Sequence, residues 1–201
     1  MIDTVISDLG QVLVRFDNRL FFDRMTRYTN RSVEDIRRVT HENRDLLNRF
    51  DTGRLAPQEF YRLAVAALGA KVSYDDFYAA YNDVFSLERP VLAVMARLKP
   101  KYKLVLVSNT DPVRYAYIER RFPELLIFDA YVLSFRLGVM KPDPAIYREA
   151  LARVGALPDG ALFIDDLQEN IDGAARLGIR GLLFRPDADF ESDLRMAGVE
   201  P

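Results

Sequence analysis

The 201-residue sequence has no cysteine and a single histidine, His41. Without cysteine there are no disulfides, thiolate metal sites, iron–sulfur clusters or thiol nucleophiles. One histidine leaves little room for a zinc centre or a histidine-based triad. Neither charge is in excess: 28 Lys and Arg against 30 Asp and Glu give a formal net charge of −2. The basic footprint of a nucleic-acid binder is missing, so no nucleic-acid partner is expected. No apolar run reaches the roughly 18–20 residues that a membrane span needs. The opening segment MIDTVISDLG lacks a basic stretch followed by a long apolar one, so neither a signal peptide nor a membrane partner is expected. The cytoplasm is the default location. Carboxylates, lysine, hydroxyls and amides are what remains for chemistry.

What is present is 49% hydrophobic residues arranged in a repeating order. Short apolar runs at Thr4–Ser7, Lys103–Val107, Ala130–Leu133, Ala161–Ile164 and Gly181–Phe184 are apolar on both faces, which suits strands buried on both sides of a parallel sheet. Segments of helical spacing lie between them: Pro90–Leu98, Pro112–Phe122, Asp143–Val154 and Ile171–Leu177. That alternation predicts right-handed crossovers and a doubly wound, Rossmann-like α/β core. From Asp17 to about Arg89 no strand is evident. FFDRMTRYT, SVEDIRRVTHENRDLLNRF, APQEFYRLAVAALGA and SYDDFYAAYNDVF read as four helices separated by Asn30, Gly53 and Gly69. Ser32 with Asp35, and Ser73 with Asp76, resemble helix starts with acidic first turns. The expected organisation is an α/β core of residues 1–16 and 90–201 carrying an all-helical insertion at 17–89.

Strand C-termini lie along one edge of a parallel sheet, and ligands bind in the crevice there. Asp8 follows the first apolar run, Ser108-Asn109 the second, and Asp165-Asp166 a later one, while Gly138-Val139-Met140-Lys141-Pro142-Asp143-Pro144 places a lysine in a proline-stiffened loop. Each signal alone also reads as a turn or a helix cap. Asp8 could end a turn, Asp165-Asp166 could cap the next helix, and Ser108-Asn109-Thr110-Asp111 before Pro112 is a good helix start. Together they gather three carboxylates, a hydroxyl, an amide and an ammonium. Oxygen ligands without histidine or thiolate favour a hard cation, Mg²⁺ above all. A divalent ion beside lysine and hydroxyl donors suits a phosphoryl group, which a carboxylate at a strand tip could accept as an acyl phosphate that water hydrolyses.

The segments VISDLGQVLVRFD, LVLVSNTD, SFRLGVMKPDPAIY and LFIDDLQENIDGAARLGI resemble the four motifs of the haloacid dehalogenase-like hydrolase superfamily. The insertion after the first motif is where the superfamily's helical (type C1) cap sits, and the chain is most similar to members related to glucose-1-phosphatase and to the N-terminal domain of soluble epoxide hydrolase. The resemblance implies an Mg²⁺-dependent phosphatase of small phosphorylated metabolites, including sugar 1-phosphates, working as a monomer or homodimer. Asp8 matches the nucleophile. Ser108, helped by the Asn109 backbone, matches the group that holds a phosphate oxygen, and Lys141 the lysine that pairs with Asp8 and the phosphoryl charge. Asp166 matches a direct metal ligand and Asp165 a neighbouring or alternative one, with Asp8 and the Gly10 carbonyl completing the protein ligands. Asn170 stands where many members have a further aspartate.

Gly10 departs from the pattern, because most phosphatases of the superfamily carry a second aspartate there that protonates the leaving oxygen. General acid–base catalysis is worth ~10²–10⁴-fold, or about 3–5 kcal/mol. Its loss predicts a slower enzyme suited to leaving groups that need little protonation, unless Gln11, Asp17 or a cap residue substitutes. Two other readings follow from the same residues: a 2-haloacid dehalogenase, which needs no metal and leaves Asp165-Asp166 without a purpose, and a phosphometabolite-binding module without turnover. Arg15, Asn43, Arg44 and Arg49 are candidates to reach the crevice, although a solvated helix face accounts for them better. His41 reads as a surface or packing residue.

Overall fold

In the computed structural model, which describes all 201 residues, the chain opens with β1 (Thr4–Ser7) and β2 (Val14–Phe16). Five helices follow: α1 (Asn18–Met25), α2 (Val33–Glu42), α3 (Arg44–Asp51), α4 (Pro57–Leu68) and α5 (Tyr74–Asn82). β3 (Phe85–Leu87), α6 (Arg89–Leu98), β4 (Lys103–Ser108), α7 (Pro112–Arg121), β5 (Ala130–Leu133) and the short α8 (Ser134–Leu137) come next. The chain ends with α9 (Pro144–Val154), β6 (Ala161–Asp165), α10 (Gln168–Ala175), β7 (Arg180–Leu183) and α11 (Phe190–Met196). None of the helices is long and apolar enough to cross a membrane.

Five strands form one parallel sheet in the order β5-β4-β1-β6-β7. This is the doubly wound α/β arrangement predicted from the alternating pattern. Successive strand residues face opposite sides, and both sides are covered. Ile6, Val105, Val107 and Phe163 pack with Ile146, Tyr147 and Ile171, whereas Val5, Leu104, Leu106 and Ile164 pack with Met95, Leu98, Ile118 and Leu194. The helices between β2 and β3 bury a separate core, including Phe21, Met25, Ile36, Phe50, Phe60 and Phe77. Phe50 and Phe60 stack there with centroids 4.1 Å apart.

The structure differs from the sequence reading in three places. Residues 85–87, at the end of an interval where no strand was expected, form β3, which pairs antiparallel with β2 as a two-stranded ribbon. Three-residue strands are too short to show a periodicity of their own, and the helix before them stops at Asn82. The expected single helix from Ser32 to Phe50 breaks at Asn43, whose side chain donates to the Val39 carbonyl at 2.8 Å, a local hydrogen bond that competes with continued helix. Neither α8 nor α11 stood out in the sequence, being only four and seven residues long. The starts at Ser32 and Ser73 do cap α2 and α5, with Asp35 completing a capping box in α2.

The loop after α3 docks on α8. Gly53 has φ +69°, and a Cβ built there would lie 2.2 Å from the Phe135 carbonyl oxygen. Gly69, which ends α4 at φ +60°, faces open space. Gly69→Ala should therefore cost only the left-handed backbone, about 1–2 kcal/mol. Gly53→Ala adds a backbone collision and should cost about 2–4 kcal/mol in denaturant unfolding. Equal losses at the two positions would contradict this account of the docking.

Candidate active site

The strand register sets the site. Ser7 pairs with Leu106 of β4 and with Ile164 of β6, so the next residues, Asp8, Val107 and Asp165, end up side by side. The Lys141 ammonium meets all three: it lies 2.6 Å from Asp8 Oδ1 and 2.7 Å from Asp165 Oδ2, and donates to the Val107 carbonyl at 3.3 Å. Its side chain is 1% exposed. Lys141 is delivered by the loop after α8, whose next peptide, Lys141–Pro142, is cis. Asn109, just past β4, clamps that loop: Asn109 Nδ2 donates to the Lys141 carbonyl at 3.0 Å, and the Lys141 N–H donates to Asn109 Oδ1 at 2.8 Å. The Asn109 side chain is thus committed to holding the lysine loop, and the backbone role expected of Asn109 toward phosphate does not call on it.

Two buried carboxylates share one ammonium, so the cluster keeps surplus negative charge. Burial pushes the Asp8 carboxyl up, an effect that Lys141 partly offsets and Asp165 reinforces. Burial also works against the Lys141 ammonium, but Asp8 and Asp165 outweigh it and hold the lysine charged. Asp165 is the most engaged of the three carboxylates, since beyond Lys141 on Oδ2 its Oδ1 accepts from the Leu167 N–H and from Asn170 Nδ2, both at 2.9 Å. Asn170 thus serves the acidic cluster as a donor. Asp166 is half-buried, its carboxyl is raised by burial and by neighbouring Asp165, and no side chain donates to it. Carboxylate oxygens of Asp8, Asp165 and Asp166 all lie within 4.8 Å of one another. An all-oxygen cluster with excess charge and an unengaged carboxylate fits a hard divalent cation. Asp8 and Asp166 have freer oxygens to offer it than Asp165.

Above this floor opens a cavity of about 590 Å³ lined by Gly10, Ser108, Asn109 and Lys141 from the core and by Arg44, Asn48 and Asp51 from α3. The Ser108 side chain is buried and has no protein hydrogen-bond partner. Asn18, Leu47 and Arg114 line both this cavity and a smaller apolar recess of about 80 Å³ inside the helical layer. Of the cap candidates, Arg44 lines the larger cavity and Asn43 only the recess, while Arg49 lines neither. Arg15 pairs with Glu88 at 2.8 Å, and His41 is exposed on α2.

Neither sequence-level substitute for the missing acid reaches the cavity. Gln11, in the left-handed region at φ +56°, donates through Nε2 to the Phe16 carbonyl, and Asp17 caps α1 by accepting from the Arg19 N–H. A Cβ at Gly10 would lie 3.2 Å from Phe16 Cε1, so a side chain there would press on the aromatic ring and require it to shift by a few tenths of an ångström. Sequence reasoning missed Asp51 and Ser134. Ser134 Oγ donates to the Asp51 carbonyl at 2.6 Å and accepts from the Thr110 N–H at 2.9 Å, joining α3 to the segment that follows Ser108. No local pattern announces such a contact between residues 83 positions apart.

A lysine-bridged carboxylate cluster at the C-terminal edge of a doubly wound sheet, under a helical insertion, defines the class. The family model for haloacid dehalogenase-like hydrolases matches residues 2–178, and the chain belongs to that family. It is 24% identical over 203 residues to D-ribitol-5-phosphate phosphatase of Bacteroides thetaiotaomicron, covering 96% of this chain and 97% of that protein. It is 29% identical over 128 residues to bifunctional epoxide hydrolase 2 of Rattus norvegicus, a match covering 61% of this chain but only 23% of that longer protein. Among solved structures, an enzyme of the same family from Bacteroides thetaiotaomicron, in complex with magnesium and inorganic phosphate, superimposes with a TM-score of 0.84 at 23% identity, covering 96% of this chain and 98% of that one.

The buried ion triad makes Lys141 a structural as well as a chemical element. With chelator present, Lys141→Met should lose about 3–5 kcal/mol of stability, because two carboxylates are left buried and unpaired. The loss should grow with pH. Without the ammonium, Asp8 stays buried by holding a proton, so its folded pKa, already raised by burial, lies further above the unfolded value near ~3.9. The native state then binds more protons than the unfolded one, and stability falls as pH rises. Urea unfolding at about pH 5 and about pH 8 checks this; a pH-independent loss would contradict it.

Proposed function

We propose that this protein is an Mg²⁺-dependent phosphatase of small phosphorylated metabolites that works through an aspartyl-phosphate. The observation that carries the reading is the Lys141 ammonium 2.6 Å from Asp8 and 2.7 Å from Asp165, beside the unengaged Asp166. Asp8 Oδ1 is occupied by Lys141 and by the Leu9 N–H at 2.6 Å, which leaves Oδ2 to attack phosphorus. The Ser108 hydroxyl donates to a phosphoryl oxygen, and Lys141 offsets the charge on the phosphoryl group and on Asp8. Asp8, Asp166 and the Gly10 carbonyl would hold Mg²⁺, which supplies charge neutralisation for the transferring group when bound. The rest of the ester occupies the cavity of about 590 Å³, within the usual range for small-molecule sites.

Sugar 1-phosphates are the finer substrate expectation, since an anomeric oxygen leaves readily and Gly10 provides no acid. The D-ribitol-5-phosphate phosphatase that matches almost the whole chain supports a phosphorylated polyol or sugar as the class to screen first.

Asp8→Asn should lower phosphate release from a metabolite panel by at least about 10³-fold, and Asp166→Ala should raise the Mg²⁺ concentration needed for turnover. Chelator should abolish wild-type activity. Near-wild-type turnover by Asp8→Asn would refute the nucleophile. Chelator-resistant halide release from 2-haloacids would replace this reading with a dehalogenase, and phosphate-ester binding without turnover would replace it with a binding module.

A further inference from the structure

We propose that Asp51, brought by α3 into the substrate cavity, gives the leaving oxygen its proton and later takes one from the attacking water, in place of the side chain that Gly10 lacks. The assignment rests on the phosphatase reading above. Three observations converge on it. Gly10 has no side chain, and a Cβ there would already press on the Phe16 ring at 3.2 Å. Asp51 lines the same cavity as Gly10, Ser108 and Lys141. The Asp51 backbone is also fixed to the core, because Ser134 Oγ joins its carbonyl to the Thr110 N–H, two residues past Ser108. The cap residue therefore has a set position relative to the phosphate end of the site.

The carboxyl is suited to the task. It is half-buried and accepts no hydrogen bond from the protein, so it is free to address a ligand. Burial and the charge of Asp111 push it up to about 7, which Arg114 only partly offsets. Asp111 is held in place as the cap of α7, accepting from the Val113 and Arg114 N–H groups and from the Tyr81 hydroxyl at 2.9 Å. Arg114 is itself engaged, lying 3.9 Å from the Tyr81 ring centre and donating to Asn18 Oδ1 at 3.2 Å. The other charged groups on the cavity lining are Lys141, Arg44 and Glu169. Lys141 is tied to Asp8 and Asp165, whereas Arg44 and Glu169 are exposed.

The chemistry balances. As Asp8 Oδ2 bonds to phosphorus and the bond to the ester oxygen breaks, the Asp51 acid passes its proton to that oxygen, which departs as an alcohol. In the second half, water bonds to phosphorus and the Asp8–phosphorus bond breaks. The Asp51 carboxylate takes the water's proton and is an acid again.

The test compares an alkyl phosphate, a poor leaving group, with p-nitrophenyl phosphate, a good one, in wild type, Asp51→Asn and Asp51→Glu. Asp51→Asn should lower kcat/KM for the alkyl ester about 10²–10³-fold and by tenfold or less for the aryl ester, and Asp51→Glu should recover part of the difference. The wild-type rate on the alkyl ester should fall as pH rises through neutrality, and Asp51→Asn should lack that limb. A structural role would lower both esters alike, and such equal losses, or no loss on the alkyl ester, overturn the assignment. Failure of the wild type to release phosphate from either ester would overturn the phosphatase reading and this proposal together.

Discussion

One buried ammonium between two buried carboxylates organises the molecule. Lys141 contacts the residue after β1, the last residue of β6 and the backbone near the end of β4, so one charge cross-links three strands that lie far apart in sequence. Such a triad is costly to desolvate and is weak grounds for stability in itself. Its value lies in position. Every approach of Asp8 to a ligand is fixed by the rung of the sheet from which it emerges, and Lys141 keeps that carboxylate ordered without neutralising the whole cluster. The residual negative charge is what makes a divalent cation welcome, and a cation in turn lets an anionic phosphate enter a site floored by three carboxylates.

Sheet register does the measuring. The pairings Ser7 with Leu106 and Ser7 with Ile164 are set by the backbone ladder and by which residues must face each helical layer, since a one-residue slip would move every apolar side chain to the wrong face. The chemistry is therefore aligned to the same accuracy as the core. The polar side chains at these strand ends are also mutually supporting: Asn109 grips the lysine loop from both sides, and Asn170 and the Leu167 N–H engage Asp165. Pre-positioning of this kind lowers the entropic part of a barrier before any substrate arrives.

The residues at this rung were legible in the sequence because each follows an apolar run whose end is dictated by burial. Asp8, Ser108 and the pair Asp165-Asp166 announced themselves in that way, and Lys141 through its proline-stiffened loop. The roles of the side-chain amides were not legible: nothing in the sequence marks the Asn109 side chain as the clamp on its neighbour loop. The β2–β3 ribbon was hidden because two three-residue strands carry no periodicity, and the break at Asn43 depends on one side-chain hydrogen bond to Val39. Asp51 was hidden for a deeper reason. In sequence it is one polar residue at the end of a helix, and no motif or spacing marks it for a site. Its environment is made by Asp111, Arg114 and Ser134, none of which is near it along the chain.

That contrast bears on how the insertion participates. If the helical layer only covered the crevice, its contacts with the core would need to be few and tolerant. Instead they are polar and specific: Ser134 to the Asp51 carbonyl, Tyr81 to Asp111, and Arg114 to Asn18. Each joins a residue of the layer to the segment after β4 or β5, next to the phosphate end of the site. If Asp51 is the proton donor proposed above, substrate recognition and proton transfer depend on the same docking geometry. A cap that closes poorly on the wrong ester misplaces its carboxyl as well as its binding surface. On that proposal, an acid carried by the helical layer, with none at Gly10, ties discrimination between esters to how that layer meets the core.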